Sequence, residues 1–434
     1  MFQRSQGARR SSQAVGQRSK QAFSERSDKP FATRSSNNKV RSRFSGAPMS
    51  DARGGRRSGG NRKRPSYDPT LFVRKAIQTV DTEPFQPEHR FVDFEIHPKL
   101  KENIAKRDYI HPTPIQDGSI PHILKGRDVI GIANTGTGKT AAFLLPLIHK
   151  VFEGKQKQSA IIIVPTRELA VQIQDELVLF AQGSGLRSAL CIGGAHMDRQ
   201  IADLRRKPAF VIGTPGRLKD LIERGYLDIS HCNNVVLDEV DRMLDMGFIA
   251  DIRHLLSLVH TERQSMFFSA TMDPTTRGLA LKFLNNPVTV TIKSRATAEN
   301  VNQDVVYVAR SDEKFELLHE MLMKPEFKKV LIFVQMKHSA EKLGKLLDAR
   351  GFAAGSIHGD LSQGQRQRSL TAFRDDRMRI LVATDVAARG LDIDNITHVI
   401  NYDLPMAYED YIHRIGRTGR GNKSGQAYTF IERY

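Results

Sequence analysis

The short apolar run Asp128–Ile132 is followed at once by Ala133-Asn134-Thr135-Gly136-Thr137-Gly138-Lys139-Thr140 and then by a helix-length apolar stretch. A buried strand that turns through small residues into a helix belongs to a sheet covered by helices, which restricts the chain to an α/β architecture. The turn also carries chemistry. Gly136 and Gly138 let backbone N–H groups face a polyphosphate, Lys139 can reach its β/γ-phosphates, and the Thr140 hydroxyl can take a Mg²⁺ ion. Ala133 stands where the usual G-x-x-x-x-G-K-[ST] pattern has its first glycine.

From about Phe91 onward, short Val/Ile/Leu/Phe runs alternate with amphipathic segments of helix length, the pattern of a parallel sheet covered on both faces. In the first half the expected strands are Asp128–Ala133, Ala160–Val164, Phe210–Gly213, Val235–Leu237 and Met266–Ser269. In the second half they are Val330–Val334, Ala354–Ile357, Arg379–Ala383 and His398–Asn401. Ligands of such sheets lie beyond the carboxyl ends of the strands, so Pro165–Ala170, Thr214–Arg217, Asp238–Asp241 and Ser269–Thr271 should share one edge. The polar stretch Thr291–Asn300 reads as a linker between two mobile sheets. The expected division is a tail (1–66), a lead-in segment (67–90), a first domain (91–293), a linker (294–300) and a second domain (301–434).

Charge separates the tail from the rest. The chain of 434 residues carries a net charge of +18, and residues 1–66 hold 17 Lys/Arg against 3 Asp/Glu, leaving only +4 for residues 67–434. The tail is rich in Ser, Gly, Gln and Arg, buries too little to offset ordering, and is expected to be disordered. It reads either as a solvated solubility tail or as a nonspecific nucleic-acid tether, the second being favoured. Glu25, Asp28 and Gly54–Gly60 argue against an organelle transit peptide. No run approaches the roughly 20 apolar residues of a membrane span. Cys191 and Cys232 are the only cysteines, too few for a disulfide framework. A soluble, cytoplasmic protein is expected.

Val235–Leu237 followed by Asp238-Glu239 has the form of a strand-end acidic pair, with Asp238 orienting Mg²⁺ and Glu239 accepting a proton from an attacking water. An acidic surface turn is the bland alternative, and the phosphate loop upstream on the same sheet weighs against it. Ser269-Ala270-Thr271 either caps the next helix or hydrogen-bonds to Asp241 and relays domain closure.

In their order these motifs resemble the DEAD-box RNA helicases of helicase superfamily 2, bacterial-type, over essentially all of Phe91 to Tyr434. The resemblance implies an α/β protein with two tandem RecA-like parallel-sheet domains, using ATP and Mg²⁺ to separate RNA strands. Phe91 and Gln116, in Pro112-Thr113-Pro114-Ile115-Gln116, would then read adenine, with Phe91 as a core aromatic being the alternative. The family usually has Gly at the position of Asp108. Pro165, Thr166, Arg167, Gly194, Thr214 and Arg217 would contact RNA from the first domain, and Gln363, Arg366 and Thr384 from the second. Asp392 would bind the ribose. His413 would couple the domains with Asp241, Ser269 and Thr271, while Arg417 and Arg420 would reach the γ-phosphate as arginine fingers. A basic helix face is the alternative for Arg414, Arg417 and Arg420, which interposed glycines disfavour. The box reads Asp238-Glu239-Val240-Asp241, with Val240 for the family's Ala; the change is apolar for apolar and leaves the three carboxylates in place, so activity is expected to survive, altered closure from the added bulk being the alternative. The ending after Ile431-Glu432-Arg433 implies a short or incomplete member with part of the second sheet less covered. RNA is the expected partner, single-stranded or in short duplexes with little sequence preference, acting on a monomer, with ribonucleoprotein or RNA-decay partners possible. A nucleotide-gated RNA clamp or scaffold and a DNA-acting helicase are the competing readings.

Overall fold

Ile161, Ile162 and Ile163 are consecutive and fully buried, yet they enter two different cores. Ile162 packs with Phe143, Ile173 and Phe268, whereas Ile161 and Ile163 pack with Val235, Leu237 and Leu255. Side chains that alternate with period two can do this only in a sheet covered on both faces. The same split recurs later, where Val330, Ile332 and Val334 fill one core and Leu331 and Phe333 another.

The computed structural model describes residues 68–76, 85–154, 160–292, 300–310, 313–388, 393, 395–419 and 424–432. Tail residues 1–66 lie outside them, as do all of the linker but Asn300, and Asp392 and Arg420. Seven strands, β1 (Val129–Ile132), β2 (Ala160–Ile163), β3 (Ser188–Cys191), β4 (Phe210–Gly213), β5 (Asn234–Asp238), β6 (Gln264–Ser269) and β7 (Val288–Thr291), form one sheet in the order β3-β4-β2-β5-β6-β1-β7. Six more, β8 (Val301–Val308), β9 (Val330–Val334), β10 (Ala354–Ile357), β11 (Ile380–Thr384), β12 (His398–Asn401) and β13 (Gly425–Glu432), form a second in the order β10-β11-β9-β12-β13-β8. All neighbours within both sheets are parallel.

The nine expected strands are present within two residues at either end. Of the other four, β3, β7 and β8 lie at sheet edges and are only partly buried, so none makes a long apolar run, and β13 lies inside the second sheet between β12 and β8. The lead-in segment makes contacts with both domains. Asp68–Ala76 packs on the second sheet, whereas Glu88 and His89 bond to Asp117 of the first domain. Among the described residues no helix is long and apolar enough to cross a membrane.

Candidate functional site

Parallel pairing brings the polar motifs to one edge of the first sheet, and strand order sorts them into two groups. Gly193-Gly194, Thr214–Arg217 and Pro165–Ala170 follow the neighbouring strands β3, β4 and β2. Asp238–Asp241, Ser269–Thr271 and Ala133–Thr140 follow β5, β6 and β1.

The loop Ala133–Thr140 is shaped by its glycines. Gly136 and Gly138 have φ of 79° and 89°, the left-handed region that side chains resist. At Gly138 a Cβ would also collide with the side-chain amide of Gln116. Ala133 is buried and lies outside the left-handed region, so its methyl group replaces the expected glycine without strain. Lys139 opens the helix Lys139–Phe152, and its Nζ donates to the Ala133 carbonyl at 2.8 Å. Thr137 Oγ1 donates to the Asn134 carbonyl at 2.8 Å.

Gln116 ties this loop to its own. Its Nε2 donates to the Gly138 carbonyl and its Oε1 accepts from the Thr113 N–H, both at 2.9 Å. One N–H and one lone pair remain for a base edge. Phe91 is 3% exposed and lies 6.0 Å from the rings of both Phe94 and Tyr109, so it is a core aromatic and a cavity wall at once. Asp108 has φ of 56°. Glycine enters that conformation freely, and Asp is among the few other residues that tolerate it.

Phe91, Gln116, Thr135, Gly136, Lys139 and Thr140 line a cavity of about 670 Å³ together with Asp238, Glu239 and, from the second domain, Arg417. Asp238 is 2% exposed, and burial pushes its carboxyl up to about 6 against the pull of Lys139. A buried carboxylate facing the same space as the Thr140 hydroxyl suits a hard, oxygen-seeking divalent cation, so these two residues fit Mg²⁺. No group of three or more His, Cys, Asp or Glu that could hold a metal occurs among the described residues. The remaining ligands of such an ion would be phosphate oxygens and water.

Glu239 has φ of 53° and precedes the helix Val240–Asp245. Its Oε2 accepts from Arg242 Nη1 at 2.6 Å, and both side chains are buried. The sequence reading passed over Arg242, although its i+3 spacing from Glu239 was a usable signal. Val240 is fully buried with Leu237 and Met243 and is not among the residues lining the cavity. Asp241 Oδ2 accepts from Thr271 Oγ1 at 3.0 Å and from the N–H groups of Ala270 and Thr271 at 3.0 and 2.9 Å. Ser269 instead accepts from the Asp241 N–H at 3.2 Å. His413 joins Asp241 and Thr271 in a smaller cavity of about 250 Å³ that also reaches Glu239, Arg242 and Arg417.

The arginines of the second domain divide by role. The helix Tyr408–Ile415 ends before Arg417, so a basic helix face does not form. Arg414 is buried, with Nε and Nη2 donating to Asp385 at 2.6 and 2.7 Å and Nη1 donating to Asn401 Oδ1 and the Asp403 carbonyl at 3.1 and 2.7 Å. It is a strut that the sequence did not reveal. Arg417, just beyond it, lines the nucleotide-sized cavity.

The other group of motifs brings charged side chains together. Thr166 caps the helix Arg167–Phe180, accepting from the Leu169 N–H at 3.3 Å. Arg167 lies against Gly193 and Gly194, and a Cβ on Gly194 would collide with its guanidinium. Glu168 binds Arg366 Nε at 2.8 Å with both side chains buried, joining the first domain to the helix Gln363–Arg374 of the second. Burial, then the charge of Arg366 and more weakly that of Arg217, lowers the pKa of Arg167. The Gln363 amide is buried without a hydrogen-bond partner among the described residues. Pro165 is buried beside Thr166, Thr214 precedes the helix Pro215–Glu223, and Thr384 is buried at the end of β11.

Residues 113–278 match the family described as DEAD/DEAH box helicase, and residues 313–422 match the helicase conserved C-terminal domain. The chain is 42% identical over 343 residues to the ATP-dependent RNA helicase CshA of Listeria monocytogenes, covering 79% of this chain and 66% of that protein. It is 45% identical over 343 residues to the ATP-dependent RNA helicase DeaD of Mycobacterium tuberculosis, covering 79% and 60%. With the DEAD-box ATP-dependent RNA helicase CshA of Geobacillus kaustophilus the identity is 44% over 344 residues, covering 79% and 73%. The chain therefore spans between 60% and 66% of the length of the Mycobacterium and Listeria relatives. Among solved structures, S. cerevisiae Dbp5 bound to RNA and ADP BeF3 is similar with a TM-score of 0.69 and 30% identity, covering 79% of this chain and 90% of that one. Two helicase regions in chain order over two parallel sheets, and 73% of a relative matched at 44% identity, make this chain a member of the DEAD/DEAH box helicase family.

Proposed function

We propose that the chain is an ATP-dependent RNA helicase of the bacterial type with a DEVD box, closing a first domain (91–293) and a second (301–434) around ATP and single-stranded RNA. The observation that carries this reading is the shared cavity, in which Lys139, Thr140, Asp238 and Glu239 of one domain face Arg417 of the other. The loop Ala133–Thr140 holds the phosphates, Phe91 and Gln116 hold adenine, and Asp392 holds the ribose. Thr140 and Asp238 hold Mg²⁺, which supplies positive charge to the phosphate oxygens. Glu239 accepts the proton of the attacking water, and Arg417 and Arg420 stabilise charge at the γ-phosphate. Because the fingers and the base belong to different domains, turnover depends on closure, and Asp241, Ser269, Thr271 and His413 relay it.

RNA phosphates are held by Pro165, Thr166, Arg167, Gly194, Thr214 and Arg217 with Gln363, Arg366 and Thr384. Backbone contacts of this kind carry little sequence preference. The likeness to Dbp5 bound to RNA and ADP BeF3 supports a closed arrangement on these two ligands. The protein acts as a cytoplasmic monomer. One observation favours a second reading, a nucleotide-gated RNA clamp with little turnover: a Glu239 oxygen is already engaged by Arg242 and is to that extent withheld from an attacking water.

The test is ATP turnover at fixed salt, with and without single-stranded RNA and with matched DNA as competitor. Stimulation by RNA alone, abolished in Glu239→Gln while ATP still binds, is expected of the helicase. Tight RNA binding without turnover would leave the clamp, and equal stimulation by DNA would overturn the preference for RNA.

A further inference from the structure

Phe72 lies outside both sheets and yet is 0% exposed. Asp68 accepts from the Thr70 N–H at 2.9 Å and starts the turn Pro69–Phe72, which carries the Phe72 ring edge-on to Tyr411 at 4.8 Å. Val301, Ile415 and Ala427 complete that small core. Beyond it the backbone of Arg74 pairs with Gln303 in both directions, at 2.9 and 2.7 Å, and the Ala76 N–H donates to Asn302 Oδ1 at 2.8 Å. The segment thus adds an antiparallel bridge to the outer edge of β8, the open side of the second sheet. Tyr411 is itself fixed, its hydroxyl donating to Gln303 Oε1 at 3.0 Å.

Tyr411 and Ile415 belong to the helix whose end delivers Arg417. Eight residues are too few for a helix to hold its shape or place unaided, so packing decides where its end points. Arg414 anchors one side to Asp385 and Asn401, and Phe72 anchors the other. We infer that Asp68–Ala76 is a positioning strap for the ATPase, with Phe72 as the residue that holds the helix carrying Arg417 at the nucleotide cavity. This rests on the reading of Arg417 as a finger, and the experiment separates the two.

Full-length Phe72→Ala and Arg74→Pro would be compared with wild type by amide hydrogen exchange over residues 408–415 and by RNA-stimulated turnover. Arg74→Pro removes one bridge hydrogen bond and leaves the small core intact, so it serves where Phe72→Ala fails to fold. The strap predicts faster exchange over 408–415 in both variants. It also predicts a roughly ten- to hundredfold loss of kcat in Phe72→Ala with the KM for ATP unchanged, restored in part by Phe72→Leu. Combined with Arg417→Ala, Phe72→Ala should add almost no further loss. Unchanged exchange in both variants, or a loss that adds fully to that of Arg417→Ala, would overturn the strap. Faster exchange in both variants, where the wild-type chain itself shows no turnover, would keep the strap's hold on the helix and sink the ATPase reading instead.

Discussion

Around the nucleotide cavity the polar side chains are tied to one another: Lys139 to Ala133, Gln116 to Gly138 and Thr113, Glu239 to Arg242, Asp241 to Thr271. A few strands along the same edge, Arg167 feels the charges of Arg366 and, more weakly, Arg217, Arg366 pairs with the buried Glu168, and the Gln363 amide has no partner among the described residues. The first region is preorganised, so little need move when a nucleotide enters. The second holds repulsion that an anion would relieve, and part of it exists only while the two domains meet. On the proposed function, one sheet edge thus offers a fixed site for chemistry beside a site that a polyanion would stabilise.

Substitutions can break this contrast. The largest effect is expected for Arg417→Ala, a loss of roughly 10³ or more in RNA-stimulated kcat, with RNA affinity measured by fluorescence anisotropy nearly unchanged. An equal loss of RNA binding would mean that the two regions are not separable. Next comes Arg366→Ala, which leaves Glu168 buried and unpaired at a cost of about 3–5 kcal/mol to the closed arrangement. RNA affinity should fall at least tenfold and the slope of log K against log salt should lessen by about one. ATP binding in the absence of RNA is expected to stay at the wild-type level, as isothermal titration would register.

Smaller effects test the scaffold beneath both regions. Val240→Ala removes two buried methyl groups and should lower unfolding stability by about 1–3 kcal/mol, with kcat within twofold of wild type. A large change in kcat at constant stability would return Val240 to the active site. Asp108→Gly relieves a left-handed backbone and should raise stability by about 1 kcal/mol or less, read as a shift in the urea midpoint.

What the sequence made legible follows from locality. A phosphate loop, an acidic pair or a cap is written in consecutive residues, and period-two burial marks the central strands, so their positions and shared edge were readable. Glu168 and Arg366 are 198 residues apart and meet only across folded domains. No local pattern announces such a pair, nor the anchoring of Arg414 by Asp385, nor the burial of Phe72 against Tyr411. Edge strands β3, β7 and β8 escaped for a different reason: half-exposed strands need fewer apolar residues and leave a weaker imprint.

The strap also changes the mechanics of the molecule. Ala76 is bonded to Asn302 of the second sheet and Glu88 to Asp117 on a helix of the first domain, while Ile292 closes the first sheet and Val301 opens the second. The backbone therefore passes between the domains at two places, each bridged by a stretch no longer than roughly 30–40 Å when fully extended. One such connection acts as a ball joint and lets a domain tumble in every direction. Two tethers of bounded length restrict that freedom more than one can, and so narrow the range of positions from which Arg417 can meet the cavity.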